Sequence, residues 1–460
     1  MTPGKDEKKE VLLIGGSGFI GNALGEKLSR KGWSIRLLTR NQTKFQTAYP
    51  CHSYRWDGFS IPEDAVRGVS AIVNLAGESI AEGRWSQKRK KQILDSRVHT
   101  TKAMVDVIKK YDLKLDAVIQ SSAVGFYGME DQNKICDESS RAGQDFLSSV
   151  CQKWEAELKG LNDSHRLCVA RIGLVLDWQG GALEKLWDIY VSGVGCTLSD
   201  GKQWMNWIHM DDLVNFYVQA LENKKYQGVY NLVAPENLSN KDFHRTLCRV
   251  TPSFAKLFAP SFSVKLLLGG KGDLVLKGPH VKPKRLEESP FEFEFKTLGE
   301  CLEDLMRERI KHHAHYLKVK QWVPAPLEDV WSFVSEAKNL EKITPDFLHF
   351  RIKSMSTDKI SKGSLIDYSL KLHGIPITWR SEISSWEPRS LFVDQQLKGP
   401  YSLWHHRHLF TPLAGGTLIE DRVEYKLPLY PFGQVGLFLV NKDLREIFRY
   451  RKVMTAKFLS

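Results

Sequence analysis

The chain has 460 residues and carries 66 lysines and arginines against 54 aspartates and glutamates, a formal net charge of +12. Its length exceeds what one hydrophobic core usually organises, so we expect two or three domains. The apolar content of 42% and the aromatic content of 11% are those of ordinary globular domains and exclude a disordered chain.

The positive charge is spread along the chain. The excess divides evenly between the residues before and after position 312. One basic cluster, Arg84–Lys91, contains Trp85, but basic residues on a helical stretch usually form a solvated face. We therefore expect no nucleic-acid partner.

The cysteines and the apolar runs indicate where in the cell the protein is expected. Seven cysteines are scattered and form no C-x-x-C pair, which favours reduced thiols and a cytoplasmic location. The first ten residues are charged and have no signal-peptide core. No run approaches the roughly 18 apolar residues of a spanning helix, so we expect no membrane span.

The N-terminal stretch Val11–Gly21 has the pattern of a nucleotide-phosphate site. An apolar run typical of a buried parallel strand ends in Gly15, Gly18 and Gly21, spaced by three residues. Such glycines allow a tight turn, close approach to a pyrophosphate and close packing of the next helix. A helix predicted over 19–31 and a second strand over 34–38 give the glycines the context of a dinucleotide-binding unit.

The end of the second strand indicates which dinucleotide is bound. An acidic residue there would bind the 2′-hydroxyl of NAD, but this chain has Thr39 and Arg40, with Lys44 close behind. A 2′-phosphate would gain a charge-assisted partner from Arg40. The sequence therefore predicts NADP, and a solvated surface arginine is the alternative interpretation.

Further apolar strands are predicted over 71–77, 117–122 and 171–176, alternating with helices as in a parallel α/β sheet. The motifs at their ends resemble the extended short-chain dehydrogenase/reductase superfamily of nucleoside-diphosphate-sugar epimerases. They are Gly15–Gly21, Asn74–Gly77 and Ser121–Gly128. Finer motifs resemble its atypical "epimerase family protein" subfamily, which has a short C-terminal extension. These are Gly77-Glu78, Gly83–Trp85, Ser96-Arg97, Lys153–Glu155, Gly201–His209, Pro279–Leu286 and Phe295–Leu298.

This resemblance covers about residues 10–310 and implies a doubly wound Rossmann fold with a small substrate lobe. The NADP contacts predicted from the glycine pattern and from matching positions are Gly15, Ser17, Gly18, Phe19, Ile20, Thr39, Arg40, Leu75, Ala76, Gly77, Arg97, Ser121 and Val175.

The catalytic part of the superfamily pattern is incomplete. The superfamily uses a hydroxyl residue beside a Tyr-x-x-x-Lys pair whose lysine lowers the tyrosine pKa. Ser122 matches the hydroxyl position, with Ser121 as a close alternative, but the helix predicted over 146–155 contains no such pair. Depending on the alignment, the tyrosine position holds Ser149 or Val150 and the lysine position holds Lys153 or Trp154.

Substitute proton donors remain open at this stage. Tyr127 lies at the mouth of the crevice in the superfamily, and we predict Ser122 and Tyr127 as the catalytic residues. Cys151, Lys153 and Glu155 are weaker candidates on one helix. A hydride transfer between NADP and a carbonyl or carbinol substrate in the Rossmann crevice is the first hypothesis. The alternative is a non-catalytic sensor that binds NADP.

The substrate lobe is predicted over 177–311, after a Rossmann core over 10–176 and a flexible N-terminus over 1–9. Trp187, Trp204 and Trp207 are candidate pocket walls, although tryptophan is more often core. His209 and Asp211 are expected to fix a loop over this lobe.

From about residue 312 to 460 the periodicity changes to strands followed by a long helix. Strand-like runs separated by Gly/Pro turns lead to a helix over about 433–458 with one apolar stripe. This order resembles the α+β helix-grip domains of the START-like and polyketide-cyclase-like superfamily. The resemblance implies a cavity for a lipid-like or aromatic ligand. A filled core without a ligand is the alternative.

Two histidine clusters could suggest a metal. They are His312, His313 and His315, and His405, His406 and His408. No acidic or cysteine partner recurs at ligand spacing beside them, so no metal site is predicted.

Overall fold

The computed structural model describes residues 9–40, 46–129, 134–161, 165–253, 257–430 and 432–459, with the side chains of 267 and 268 left out. The chain divides into two compact units. The first comprises residues 1–45, 51–190 and 194–308, and the second comprises 46–50, 191–193 and 309–460.

The first unit alternates strands with helices. Its strands are β1 (Glu10–Ile14), β2 (Ser34–Thr39), β3 (His52–Arg55), β4 (Ala71–Asn74), β5 (Ala117–Ala123), β6 (Ile135–Cys136), β7 (Leu167–Ile172), β8 (Leu174–Asp177), β9 (Thr197–Leu198), β10 (Trp204–Met205), β11 (Trp207–His209), β12 (Gly228–Leu232), β13 (Leu238–Ser239), β14 (Phe258–Ala259) and β15 (His280–Val281). Its helices are α1 (Phe19–Arg30), α2 (Glu63–Val66), α3 (Gln87–Lys110), α4 (Phe146–Ala156), α5 (Gly181–Val191), α6 (Met210–Glu222), α7 (Asn240–Val250), α8 (Ser261–Leu268), α9 (Asp273–Leu276), α10 (Lys284–Glu287) and α11 (Leu298–Arg307).

Seven of these strands form one parallel sheet in the order β12-β7-β5-β4-β1-β2-β3. The order reverses direction at β1, because β2 lies on one side of it and β4 on the other. In open parallel sheets, ligands bind outside the carboxyl ends of the strands at such a switch point. Four two-stranded pairings, β6–β15, β8–β11, β9–β14 and β10–β13, organise residues outside this sheet.

The second unit is an antiparallel sheet with a long helix. Its strands are β16 (His315–Val323), β17 (Arg351–Met355), β18 (Leu365–Leu372), β19 (Ile375–Glu387), β20 (Leu391–Lys398), β21 (Leu403–Leu413) and β22 (Gly416–Lys426), and its helices are α12 (Leu327–Val334), α13 (Ala337–Lys342) and α14 (Leu437–Leu459). The sheet order is β16-β22-β21-β20-β19-β18-β17. Leu444 and Phe448 of α14 are buried in the core with the aromatic side chains of the sheet.

The predicted fold class is confirmed: a parallel Rossmann sheet is followed by an antiparallel sheet that packs with a long C-terminal helix. The basic stretch at 84–91 enters α3 only at Gln87, where Ser86 caps the helix by accepting from the Arg89 N–H. Within the described part of the chain, no helix is both long and apolar enough to cross a membrane.

Candidate functional site

The glycine turn after β1 brings two strand ends into close contact. Gly15 has a φ of +84°, and a Cβ built there would lie 2.8 Å from the backbone nitrogen of Ala76. Only glycine fits a left-handed conformation at that distance from another backbone. The turn at β1 therefore lies directly against the segment that follows β4.

The N-terminus of α1 is open to an anion. Gly18 precedes the helix without any side-chain cap, and the first turn has no acidic residue. The first N–H groups of a helix lack intrahelical acceptors and form the positive end of its dipole. A Cβ on Gly21 would lie 2.5 Å from the Gly16 Cα, so the third glycine allows the helix to begin tightly against the turn. This is the geometry of a phosphate-binding site.

Arg40, which is predicted to bind the 2′-phosphate, lies at the end of β2. The Arg40 side chain is 80% exposed, and its nearest acidic partner is Glu78, with 3.9 Å between Nη2 and Oε1. An exposed ion pair at that distance contributes little energy. Arg40 is therefore available to a ligand at the carboxyl edge of the sheet, whereas Thr39 beside it is buried.

A buried amide network fixes the backbone at the end of β4. The Asn74 amide donates to Gln120 Oε1 at 3.0 Å and to Thr101 Oγ1 at 3.2 Å, while its carbonyl accepts from the Ala76 N–H at 3.1 Å. These bonds determine the path of Leu75 and Ala76, which are both only half-buried. This network could not be predicted from sequence patterns, because its members lie far apart in the chain.

Arg97 of α3 lies against Gly77. A Cβ at Gly77 would be 3.1 Å from the Arg97 Cζ, so a larger residue would displace the guanidinium. Arg97 Nη1 donates to the carbonyls of Glu78 and Ile93 at 3.1 and 3.0 Å. Burial lowers the pKa of Arg97, and no described carboxylate forms an ion pair with it. Such a cation suits an anionic ligand.

Two other predicted contacts meet at the start of α5. A Cβ on Gly181 would lie 2.8 Å from the Phe19 ring and 3.2 Å from the Val175 carbonyl oxygen. Phe19 and Val175 therefore lie close together, while Ser17 is exposed and Ile20 is half-buried. The Ser17 carbonyl accepts from the Asn22 amide at 2.8 Å.

The two serines of β5 have different partners. Ser121 Oγ lies 2.6 Å from the Tyr217 hydroxyl, and this contact is buried. Ser122 donates to Glu155 Oε1 at 2.6 Å. Both serines are less than 5% exposed. Ser122 is thus the serine that is linked to a carboxylate.

Glu155 is part of a buried ion pair. Arg171 of β7 donates from Nη2 to Glu155 Oε2 at 2.8 Å and from Nε to Oε1 at 3.0 Å. The Arg171 side chain is 5% exposed and that of Glu155 is 15% exposed. Bidentate geometry of this kind fixes the orientation of the carboxylate. Glu155 is the more accessible member of the pair and touches Ser122.

Tyr127 is held on the other side of Arg171. Its hydroxyl donates to Asn231 Oδ1 at 2.6 Å and accepts from Arg171 Nη1 at 3.0 Å. Burial raises the pKa of Tyr127 to about 12, despite the opposing effect of Arg171. A phenol in this environment is a weak proton donor near neutral pH. The arrangement favours a role for Tyr127 in positioning Arg171.

Helix α4 presents Cys151 and Glu155 to Ser122. Val150 and Trp154 are buried, Ser149 is half-buried and Lys153 is exposed. Burial raises the pKa of the Cys151 thiol to about 12, with Glu155 adding to the effect and Arg97 and a hydrogen bond to the Ala123 carbonyl opposing it. Cys151 and Glu155 are both among the proton donors predicted from the sequence. The Arg171 partner, 16 residues from Glu155 and on another element, was missed.

The predicted walls of the substrate lobe separate into two groups. Trp187 and Trp207 are each 1% exposed and belong to the core. Trp204 is half-buried and stacks on His280, with ring centroids 3.9 Å apart. His209 caps α6 by accepting from the Asp211 N–H at 3.0 Å, which fits the loop-fixing role expected of these two residues.

The second unit contains a cavity of about 200 Å³ between its sheet and helices. Aromatic side chains form much of its wall, among them Phe350, Tyr368, Trp379, Phe392 and Trp404. Apolar pockets with a few polar groups are typical ligand sites.

Two groups of side chains have metal-ligand geometry. His209, Asp211 and Asp304 form one in the first unit, and His406, His408 and Asp421 form the other in the second, each with ligand atoms within 4.8 Å of one another. Asp421, which joins His406 and His408, was not anticipated because it lies on the neighbouring strand. His405 belongs to neither group, and His315 contacts Gln434, with 2.9 Å between Nε2 and Oε1.

Comparison with known proteins gives family matches in both units of the chain. The family model described as "NAD dependent epimerase/dehydratase family" matches residues 11–145, and a domain of unknown function, DUF1731, matches 259–305. The epimerase family protein SDR39U1 homolog of Arabidopsis thaliana, named as chloroplastic, is 36% identical over 310 residues, which cover 66% of this chain and 88% of that protein. The chain belongs to the epimerase family proteins. Epimerase family protein YfhF of Bacillus subtilis is 32% identical over 300 residues, covering 65% of this chain and 98% of that protein.

Solved structures give the same result for this epimerase family member. A crystal structure of the human epimerase family protein SDR39U1 with NADPH is 30% identical, has a TM-score of 0.58 and covers 65% of this chain and 100% of that chain. A nucleoside-diphosphate sugar epimerase from Corynebacterium glutamicum is 28% identical, has a TM-score of 0.54 and covers 66% of this chain and 59% of that one. The model described as "Polyketide cyclase / dehydrase and lipid transport" matches residues 323–448. The predicted fusion of an atypical short-chain dehydrogenase/reductase with a START-like domain is confirmed.

Proposed function

We propose that the chain is an NADP-dependent enzyme that transfers hydride to or from a carbonyl or carbinol carbon held in the Rossmann crevice. The observation that carries the cofactor assignment is the uncapped N-terminus of α1 behind a glycine turn, with the exposed Arg40 at the end of β2. The NADPH in the related human structure supports this assignment.

The residues around the crevice fit the groups of NADP. The N–H groups at Phe19 and Ile20 would bind the pyrophosphate, since they begin a helix without a side-chain cap. Arg40 would pair with the 2′-phosphate. Arg97 supplies a second cation without an acidic partner in the described chain.

Bound NADPH supplies the hydride, so the protein must supply or accept a proton at the substrate oxygen. We assign this role to Glu155, which is the most accessible ionisable group beside Ser122. Arg171 orients its carboxylate through two hydrogen bonds. In the direction of carbinol oxidation, the Glu155 carboxylate takes the hydroxyl proton. Ser122 orients the same carboxylate, and Tyr127 holds Arg171.

The test combines cofactor binding with turnover. Wild-type protein should bind NADPH more tightly than NADH and oxidise NADPH with at least one member of a broad carbonyl panel. Glu155→Gln should retain NADPH binding and lose turnover, because the amide cannot exchange the proton. No NADPH oxidation with any carbonyl, at enzyme concentrations near that of the cofactor, would contradict the enzymatic assignment.

A second candidate function is a non-catalytic sensor that binds NADP. It is favoured by α4, where no tyrosine or lysine faces Ser122 and Lys153 is exposed. In this function, NADP would alter the affinity of the second unit for its ligand, and that ligand would alter NADP affinity by the same factor. Independent affinities, measured by titrating each ligand with the other absent and saturating, would contradict the sensor.

The second unit would bind a lipid-like or aromatic molecule in its cavity. Its aromatic walls and the resemblance to lipid-transport domains support this part of the proposal. We further propose a reducing compartment such as the cytoplasm, since seven cysteines are free in the structure.

A further inference from the structure

The cavity of the second unit is polar at one end. Its wall includes six ionisable side chains besides the aromatic residues described above: Asp394, His406, His408, Asp421, Arg451 and Lys452. Burying charged groups beside an apolar cavity is costly unless each has a partner. The partners of these side chains therefore indicate what the cavity is built to bind.

Asp421 is already satisfied by protein groups. His406 Nε2 and His408 Nδ1 lie 2.8 and 2.9 Å from the same oxygen of Asp421, which is hydrogen-bond geometry. A metal ion at this point would have to displace both hydrogen bonds and would lie in a cavity that also contains two cations, Arg451 and Lys452. The triad therefore favours an internal hydrogen-bonded group over a cation site.

Arg451 and Lys452 lack such partners. No acidic side chain in the described chain forms an ion pair with either of them, and no side-chain acceptor is found for the Lys452 ammonium. The Arg451 Nε is buried without a hydrogen-bond partner. Burial lowers the pKa of Lys452 to about 8, although Asp421 opposes this shift. Two adjacent residues of α14 thus bring cationic groups without acidic partners to the cavity, and the Arg451 guanidinium also lies 5.4 Å from the centre of the Phe448 ring.

Asp394 completes the polar end and is compatible with an anion. One of its oxygens is buried without a hydrogen-bond partner, and burial raises the pKa of this carboxyl. A raised pKa favours the neutral acid, which can donate a hydrogen bond. With Asp421 bonded to two histidines, Arg451 and Lys452 outnumber the one other acidic side chain that lines the cavity, the exposed Glu336.

We propose that the cavity binds an amphipathic anion, with its acidic group at Arg451 and Lys452 and its apolar body among the aromatic side chains. This inference rests on the proposed ligand-binding function of the second unit and specifies the ligand class. The volume of about 200 Å³ exceeds the ~150 Å³ of an apolar cavity that binds benzene. A single-ring or medium-chain carboxylate fits that size better than a two-chain lipid. A phosphate monoester has the same chemistry and is the second possible source of the anion.

The experiment compares ligands that differ only in their head group. Decanoate, decyl phosphate and decanol are titrated into the full-length protein by calorimetry. We expect an anion to bind at least about tenfold more tightly than decanol, since a hydrogen bond to a charged group contributes about 1.5–3 kcal/mol. Preference for decanoate or for decyl phosphate identifies the source of the anion.

The variant Lys452→Met tests the residue assignment. It should weaken the preferred anion at least about tenfold and leave decanol binding unchanged, because only the charged contact is lost. The matched control is Arg449→Met, an exposed position on the same helix. If Lys452→Met does not fold, Arg451→Gln provides the same comparison, and unchanged decanol affinity shows that the cavity is intact.

The two proposals fail in different ways. Equal affinity for decanol and both anions, or equal losses for anion and decanol in Lys452→Met, would overturn the anion inference while leaving a hydrophobic-ligand site. No binding of any of the three ligands would overturn both proposals. Loss of anion affinity in Arg449→Met as large as in Lys452→Met would overturn the assignment to the cavity.

Discussion

The ion pair between Glu155 and Arg171 gives the sharpest prediction for the first unit. Glu155→Gln retains the size of the side chain and its contact with Ser122 but removes its charge. Arg171, 5% exposed, then remains buried without a carboxylate partner. Removing one partner of a buried ion pair typically costs about 3–5 kcal/mol. Because Arg171 keeps Tyr127 and a position 3.4 Å from the centre of the Phe126 ring, we expect the lower end of that range, about 3 kcal/mol.

The assay is urea unfolding with and without NADPH. A two-unit chain need not unfold in one transition, so the transition that NADPH shifts to higher urea reports the first unit. The matched control is Glu222→Gln, whose partner Lys31 is 43% exposed. An exposed pair contributes about 0–1 kcal/mol, so the control should lose far less stability. Equal losses in the two variants would refute the claim that Arg171 depends on Glu155 for its charge balance.

Three further predictions follow from single positions. Gly15→Ala should reduce NADPH affinity, measured by calorimetry, at least about tenfold, because the new Cβ would collide with the Ala76 backbone. The control Gly58→Ala, also at positive φ but in open space, should leave NADPH affinity unchanged. Equal NADPH affinities of the two variants would contradict the close packing of the turn against Ala76. Arg40→Asp should weaken NADPH more than NADH, and equal losses would show that Arg40 does not bind the 2′-phosphate. The free energy of unfolding of the second unit should rise between about pH 8 and 10, because the unfolded chain keeps the Lys452 proton in that range while the folded chain has lost it. Lys452→Met should flatten this rise when urea unfolding is measured at each pH. An unchanged dependence of the unfolding free energy on pH in this variant would refute the prediction.

The cofactor half of the site could be predicted from the sequence because its signals are local. The strand, the three glycines and the start of α1 lie within a dozen residues, and each residue type has a direct backbone consequence. The same holds for the parallel order of the sheet, which follows from alternating strands and helices. Arg40 was located by its distance along the chain from the glycines.

The remaining parts depend on contacts between distant segments. Asn74, Thr101 and Gln120 form one buried network, yet nothing in their spacing pairs them. Trp187 and Trp207 were candidates for pocket walls, but tryptophan fills cores as readily as it binds ligands, and both are buried. The cations at Arg451 and Lys452 lie in a charged helix, where periodicity alone cannot separate cavity-lining positions from solvated ones.

The spacing on α4 explains why the missing Tyr-x-x-x-Lys pair does not leave the crevice without proton chemistry. Residues four apart lie on one face of a helix, and in this chain the pair that faces Ser122 is Cys151 and Glu155. Burial raises the pKa of Cys151 to about 12, so the thiol stays protonated near neutral pH. Glu155 is then the member of the pair to which we assign the proton exchange. The same carboxylate takes the proton in carbinol oxidation and returns it in carbonyl reduction, so Glu155→Gln should slow both directions of one substrate pair. Turnover of Glu155→Gln equal to that of the wild type, in either direction, would contradict Glu155 as the proton acceptor.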